Sequence, residues 1–454
     1  MPSIDEVLDS FKQATLPLLD DLKAFLSPFA MVLPDRRYGQ SLLQFVPGML
    51  AARSPQVSQA AAHAPEREGS SWSLAKCIYR LLSTPEHSHR AWLKPLYADA
   101  RRVAQAAEVQ RVLVALDPIN FEEPYAHKLE HLSRVWKSTP PGSLTDRRQR
   151  LTHGYPAVLA YTVNLPQPTI PYARWFSYAS PEFISENMEL RRAVRTVRMV
   201  LAGQGICFLA DAGLDDQKFF EYCGAQQVEF IIRAASDRWV EVFNERLKRW
   251  ESEHLKDLVD SVPGCLGFVT SFTHAGKVVQ ARVILDWLKI RIPDTGQILW
   301  IVVAQTQGFP NPLVLFTNRP VTSALEAQHV YRDWRYRPMI EHLYRFIQED
   351  GLDVEEIQVQ TLERQRRTFV LVLAAALFVL RVPGVWRPQT VAFLRALGSS
   401  TAGTPMDRQG PYEILIGLHR VLSTMSLLSC LARRADQPIE SWPWLPETWP
   451  KSSG

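Results

Sequence analysis

VLVALD, running from Val112 to Asp117, is a short apolar run rich in β-branched residues that ends in an acid. A strand covered on both faces reads this way, because a buried parallel strand loses the usual apolar and polar alternation. Such a strand delivers its last carboxylate to the edge of the sheet. ICFLAD, Ile206 to Asp211, has the same form and also ends in Asp. Before it, ENMELRRAVRTVRMVL from Glu186 to Leu201 has helical character, and after a short helical segment VEFIIRAA from Val228 to Ala235 forms the next strand. Strand, helix, strand alternation of this kind predicts an α/β core. YPAVLAYTVN, Tyr155 to Asn164, supplies a further strand.

Outward from this centre the character changes in both directions. Residues 1–105 have apolar positions at helical spacing, as in IDEVLDSFKQATLPLLDDLKAFL and SLAKCIYRLLS, and carry no strand signal. The segment from about 262 to 318 holds FVTSF, VVQARVILDWLKIRI, ILWIVVAQ and PLVLFTN between Gly, Pro, Asp and Asn turn signals, and reads as an all-β insertion. Ser323-Ala-Leu-Glu326 has the S-x-x-E form of a capping box and opens a helical region containing Glu341. Most of 353–434 is helical, and the Pro-rich tail QPIESWPWLPETWPKSSG is neither helix nor strand. The division that follows is a helical region 1–105, a first core part 106–240, a β-rich insertion 241–320, a second core part 321–380 carrying Glu341, and a helical C-terminal region 381–454 ending in the Pro- and Trp-rich tail.

Bulk properties narrow the class without deciding it. At 454 residues the chain is long enough for two to four structural units. Lys and Arg number 51 against 47 Asp and Glu, a net +4 that permits nucleic-acid binding but resembles no basic tail. Cys77, Cys207, Cys223, Cys265 and Cys430 are scattered and form no CxxC pair, so neither a disulfide framework nor a zinc ribbon is expected. The opening MPSIDEVLDSFKQ is acidic where a secretion signal needs a basic and then an apolar stretch. FVLVLAAALFVL, Phe369 to Leu380, falls short of the roughly 20 residues that span a bilayer and reads as a buried core helix, so no membrane partner is expected.

Two strand-end aspartates and a helical glutamate, Asp117, Asp211 and Glu341, are three carboxylates that a fold can converge on one point. Hard oxygen ligands without a His or Cys cluster suit Mg²⁺ or Mn²⁺ rather than zinc. A pair of such ions stabilises the attacking and leaving oxygens of an in-line displacement at phosphorus. With 47 acids in the chain, the choice of these three needs context.

That context is a resemblance. LVALDPINFEEPYAHKLEHLSRVW resembles the first-aspartate block of DDE-type transposases of bacterial insertion sequences, with Lys128 at the block's Lys position. FLADAGLDDQKFFEYCGAQQVEFIIRA resembles the second block, with Asp211 as the acid and Arg233 closing the following strand. VYRDWRYRPMIEHLYRFIQEDGLDVEEIQVQTLERQRR resembles the third, which in the hairpin-forming cut-and-paste branch has a Tyr-Arg-Glu-Lys signature. Glu341 takes the Glu position and Arg337 the Arg position, while Trp334 stands at the Tyr position and Gln348 at the Lys position. Trp keeps a stacking aromatic without the hydroxyl, and Gln removes a charge, with Tyr331 or Tyr336 as compensating candidates.

The resemblance implies an RNase H-like catalytic core interrupted between the second Asp and the Glu by a β-rich insertion. It further implies a helical N-terminal DNA-binding region, and an endonuclease and strand transferase that cuts transposon ends and joins them to target DNA. The implied cofactor is two Mg²⁺ ions, with Mn²⁺ as a substitute, held by the catalytic and metal-binding Asp117, Asp211 and Glu341. The implied partners are double-stranded DNA and a second copy of the chain, as a homodimer synapsed on paired ends in the bacterial cytoplasm, at the nucleoid. Lys128, Tyr331, Trp334, Arg337 and Gln348 are the implied DNA-binding residues.

Each of these residues also has a plainer reading. Asp117 and Asp211 can cap turns, and Glu326 or Glu349 can replace Glu341 as the third acid. Arg337, at i−4 from Glu341, can form a surface salt bridge. Arg147, Arg148 and Arg150, and Arg364, Arg366 and Arg367, are either phosphate contacts or solvated faces. His127, His131 and His153 have no ligand spacing, and Trp239, Trp250, Trp287 and Trp300 read as core. Competing functions are a catalytically inactive DNA-binding descendant of a transposase and a metal-dependent phosphoesterase on a similar core.

Overall fold

The computed structural model describes residues 4–65, 69–137, 151–235, 237–262, 264–274, 277–348, 351–399 and 410–432. The cluster Arg147, Arg148 and Arg150, the acid Glu349 and the Pro- and Trp-rich tail lie outside the described residues. The chain divides into two compact units, Leu93–Tyr344 and the pairing of Met1–Trp92 with Arg345–Gly454. The second core part expected at 321–380 is therefore split at Tyr344. Residues beyond it join the N-terminal helices in one unit, because their apolar faces are covered there.

The chain opens on helices α1 (Ile4–Met31), α2 (Arg36–Ala52), α3 (Val57–His63), α4 (Ser71–Ser83) and α5 (His89–Ala106), as the helical periodicity predicts. Starts are set by side-chain caps: Asp35 accepts from the Arg37 amide for α2, and Ser70 from the Ser73 amide for α4.

The central unit then builds β1 (Val112–Glu122), β2 (Ser133–Trp136), β3 (Leu151–Thr162), β4 (Tyr172–Trp175), α6 (Glu186–Val200), β5 (Ile206–Ala210), α7 (Gln217–Ala225) and β6 (Glu229–Arg233). Strand β3 runs antiparallel to β1, whereas β5 and β6 run parallel to β1 and to each other. The α/β core expected from the sequence is present as this mixed sheet with helices packed on it. Helices α6 and α7 bury Val194, Val197, Phe219 and Phe220 in the same core as Val112, Val114, Phe208 and Phe230.

β1 does not end at Asp117 but continues to Glu122. Its antiparallel neighbour β3 pairs with it from Val114 to Glu122, while the parallel neighbour β5 pairs only with Val112 to Ala115. Asp117 therefore sits where one flank of the strand loses its partner and the other keeps it.

The insertion comprises β7 (Trp239–Asn244), β8 (Arg249–His254), α8 (Leu255–Ser261), β9 (Leu266–His274), β10 (Lys277–Arg291), β11 (Ile298–Thr306) and β12 (Leu313–Thr317). From 262 to 318 the described elements are all strands, as expected, and α8 lies just ahead of them within the wider β-rich stretch 241–320. The insertion is not a separate layer: β12 pairs antiparallel with β6, so one 12-stranded sheet runs through core and insertion. Pairing of β12 covers the edge that β6 would otherwise expose. Trp239, Trp250, Trp287 and Trp300 are not fully buried, and Trp239 is 57% exposed, so the reading of all four as core is also corrected. Trp250 instead lies under the Arg291 guanidinium, 4.9 Å from its ring centre.

After α9 (Ala324–Trp334) and α10 (Met339–Ile347), the second unit gains α11 (Leu362–Val385), α12 (Pro388–Gly398) and α13 (Pro411–Ala432). By length and composition α11 is long and apolar enough to cross a membrane, and most of it is buried inside its unit. Arg366 and Arg367 are buried rather than solvated, which corrects both readings for these two, whereas Arg364 is half-buried. Arg367 donates to the carbonyls of Leu82, Thr84 and His87, satisfying backbone oxygens that the packed helices leave unpaired.

Candidate active site

The last register pair between β1 and β5 is Ala115 with Leu209. Two residues further along each chain come Asp117, within β1, and Asp211, still extended just after β5, and a period of two returns their side chains to the same face of neighbouring chains about 5 Å apart. Two carboxylates side by side just past the end of the parallel β1–β5 ladder are thus a consequence of register. Asp117 is the more buried, with 17% of its side chain accessible against 38% for Asp211.

The third acid arrives on a different element. Ser323 and Glu326 form the capping box read from the sequence, which starts α9. The Glu326 carboxylate accepts from the Thr322 and Ser323 amides at 2.6 and 3.0 Å, so this alternative third acid is spent on the helix start. The helical region expected to run on through Glu341 is broken, since Pro338 has no amide hydrogen to continue α9. A new helix, α10, follows it and carries Glu341 in its first turn, where a negative charge meets the positive end of the dipole.

All three acids face one guanidinium. Arg337 places Nη2 at 3.1 Å from Asp117 Oδ2 and 3.8 Å from Asp211 Oδ2, and its Nη1 bonds Glu341 Oε1. Arg337 is buried, so the surface salt bridge considered from the sequence is replaced by a central position among carboxylates. Arg233, half exposed, lies 3.8 Å from Asp211 Oδ1. That distance is too long for a hydrogen bond, and Asp211 Oδ1 is buried without a hydrogen-bond partner. Burial pushes the Asp117 carboxyl up to about 7; Arg337 pulls it down, and the charges of Asp211 and Glu341 raise it further.

This donor set fits a divalent cation in kind: hard oxygens on three elements, gathered about a positive group, with one buried oxygen unsatisfied. Among the described residues no three of His, Cys, Asp and Glu are grouped so that they could hold a metal ion. The three acids are spaced around Arg337.

No family model matches this chain, and no curated protein does. Among solved structures, the chain is similar to piggyBac transposase in a cryo-EM structure of its synaptic complex with hairpin DNA, at a TM-score of 0.42 and 8% identity over 94% of this chain and 87% of that one.

The remaining residues singled out in the sequence have diverse placements. Trp334 is half-buried and its indole N–H donates to the Ala210 carbonyl at 3.4 Å. Tyr331 is buried, with its ring edge-on to Phe268. Lys128 is exposed in the segment after β1. Gln348 belongs to the other unit and donates to Glu355 at 3.3 Å. His127 and His153 meet edge to face, their ring centres 6.2 Å apart.

Tyr344 carries no motif and was not legible as a site residue. It is buried on α10, and its hydroxyl donates to the Asp117 carbonyl at 2.6 Å. Trp334 and Tyr344 together satisfy carbonyls at the place where the β1–β5 ladder has stopped, one on each strand. Through these two bonds the Glu-bearing helical segment is tied to both Asp-bearing strands.

Proposed function

We propose that this chain is a DDE-type DNA transposase with an RNase H-like core, an endonuclease and strand transferase that cuts transposon ends and joins them to target DNA. One observation carries the reading: Asp117, Asp211 and Glu341, chosen from three separate blocks of sequence, all face Arg337. The sheet supports it too, with an antiparallel neighbour on one side of β1, two parallel strands on the other, and Asp117 and Asp211 just past the end of the β1–β5 ladder. On this reading the chain acts on double-stranded DNA as a homodimer on paired ends, in the bacterial cytoplasm.

Asp117, Asp211 and Glu341 would hold the metal. When bound, two Mg²⁺ or Mn²⁺ ions would supply an activated water and charge stabilisation for both oxygens of an in-line displacement. Arg337 neutralises part of the mutual repulsion of the acids, and once displaced from them it is a buried guanidinium free to fork onto a phosphate. Arg233 offers a second positive group beside Asp211. Trp334 and Tyr344 hold the carboxylate-bearing backbone, so the acids present one geometry to the substrate.

The test pairs two substrates. Purified protein is incubated with supercoiled plasmid and, separately, with a chromogenic phosphate monoester, each in Mn²⁺ and in EDTA. Divalent-dependent nicking without monoester hydrolysis is the expected result. Monoester hydrolysis with no action on DNA moves the chain to the phosphoesterases, and DNA binding with neither activity makes it an inactive descendant.

The hydroxyl of Tyr344 has a separable expected effect. Tyr344→Phe keeps the ring and removes only the bond to the Asp117 carbonyl. Outer-shell partners of this type are worth roughly 10- to 100-fold in metal affinity or activity. Mn²⁺ affinity measured by electron paramagnetic resonance is expected to fall by that factor while duplex binding in EDTA is unchanged. Unaltered Mn²⁺ affinity assigns the hydroxyl to folding alone.

A further inference from the structure

Helix α6 has one side committed to the core, through Leu190, Ala193, Val194, Val197 and Val200. Arg191, Arg195 and Arg198 lie on its outer side at i, i+4 and i+7, a single stripe spanning roughly 10 Å at 1.5 Å per residue. Several other arginines of this unit are matched with acids, among them Arg192 with Glu189, Arg238 with Asp215 and Arg319 with Asp333. Among the described residues, the three outer arginines of α6 have no acidic partner. Arg191 lies over the Tyr222 ring, 5.3 Å from its centre, and Arg198 donates to Gln226 at 3.0 Å. Arg101 of α5 adds another guanidinium at the end of this helix, donating to the Met199 and Val200 carbonyls.

Beside the stripe is a concavity of about 540 Å³ lined by Arg195, Arg198, Gln204, Gln226 and Gln227, with no carboxylate in its wall. It opens at the turns preceding β5 and β6. These are the amino ends of the parallel strands, whereas Asp117 and Asp211 stand past the opposite end of the β1–β5 ladder. The helix dipole accounts for Arg198 in the last turn of α6, but not for Arg191 or Arg195 further back. Four guanidiniums without acids, set in an open line rather than an enclosed pocket, match a linear polyanion better than a small one.

We infer that the outer face of α6 and the adjoining concavity form a second DNA-binding surface, which tracks the phosphate backbone of a duplex at the edge of the sheet opposite the acids. The inference rests on the reading of the chain as a DNA-processing enzyme. It adds a contact remote from the cut strand, independent of base sequence, with the glutamines as neutral donors between charged ones.

The experiment is a salt titration of binding to a random-sequence 30-base-pair duplex in EDTA, comparing the full chain with Arg191→Ala/Arg195→Ala/Arg198→Ala. Each phosphate contact contributes about −0.9 to the slope of log affinity against log salt, so the triple variant should lose about 2.7 in slope magnitude. The single variant Arg195→Ala, at an exposed position, should lose about 0.9 and shows that the effect is not a folding defect. Plasmid nicking in Mn²⁺ at saturating DNA should be unchanged in both, because the acids are at the other edge. An unchanged slope in the triple variant overturns this surface. So does a triple variant that loses only binding to polyglutamate, which reassigns the face to an acidic protein. If the unsubstituted chain neither binds duplex nor nicks it, the functional reading has failed, a result distinct from nicking with an unchanged slope.

Discussion

Asp117→Asn, Asp211→Asn and Glu341→Gln should each lower divalent-dependent DNA nicking by at least about 10³-fold, or roughly 4 kcal/mol of barrier. These substitutions keep side-chain volume and a hydrogen-bonding oxygen, so Arg337 retains neighbours and the sheet retains its packing. What they remove is charge at the point where three elements meet. Acids that work as one unit are not additive, and the double variant Asp117→Asn/Asp211→Asn should be no slower than either single one. Binding of duplex DNA in EDTA should stay within a few-fold. Full nicking activity in any single variant removes that residue from the catalytic set and leaves the alternative acid outside the described residues, Glu349, to be tested.

Asp117→Asn should also make the protein more stable than the unsubstituted chain at pH 8, measured in EDTA so that no ion contributes. The native carboxyl is held at about 7 by burial, against an ordinary value of 3.8. A carboxyl raised in the folded state costs nothing below its unfolded value, and the cost grows as pH rises through the window between the two values. Between pH 5 and pH 8 the unsubstituted chain should lose up to about 3 kcal/mol that the neutral Asn does not lose. Arg337 gives up one of three carboxylate neighbours in the variant, which subtracts from the gain without reversing its pH trend. The measurement is the difference in melting temperature at the two pH values. A difference that does not widen towards pH 8 shows that Asp117 is already ionised and solvated in the fold.

Both expectations depend on a stability conflict at the site. Three acids beside one arginine are a poor arrangement for folding and a good one for drawing in a cation, the familiar opposition between a functional site and a stable one. Arg337 moderates that conflict.

Much of this was present in the amino-acid order. The two apolar runs closing on Asp117 and Asp211 fixed their own strand character, because burial on both faces demands unbroken apolar sequence. The capping box at Ser323 and Glu326 was local chemistry and appeared where its spacing placed it. The helical periodicity of the first hundred residues likewise needed no distant partner to be read.

Only the tertiary structure decided the rest. Asp117 proved to be mid-strand because its antiparallel partner β3 outlasts its parallel partner β5, and pairing lengths are set by chains far apart in sequence. Arg366 and Arg367 looked like a surface cluster until the packed helices supplied carbonyls for one and burial for both. Arg337 was legible as a neighbour of Glu341 one turn away, but its place among all three acids was not. Local periodicity records which face of a segment is apolar; which buried charges share a point depends on strand register and helix docking, and these are long-range quantities that no single stretch of sequence contains.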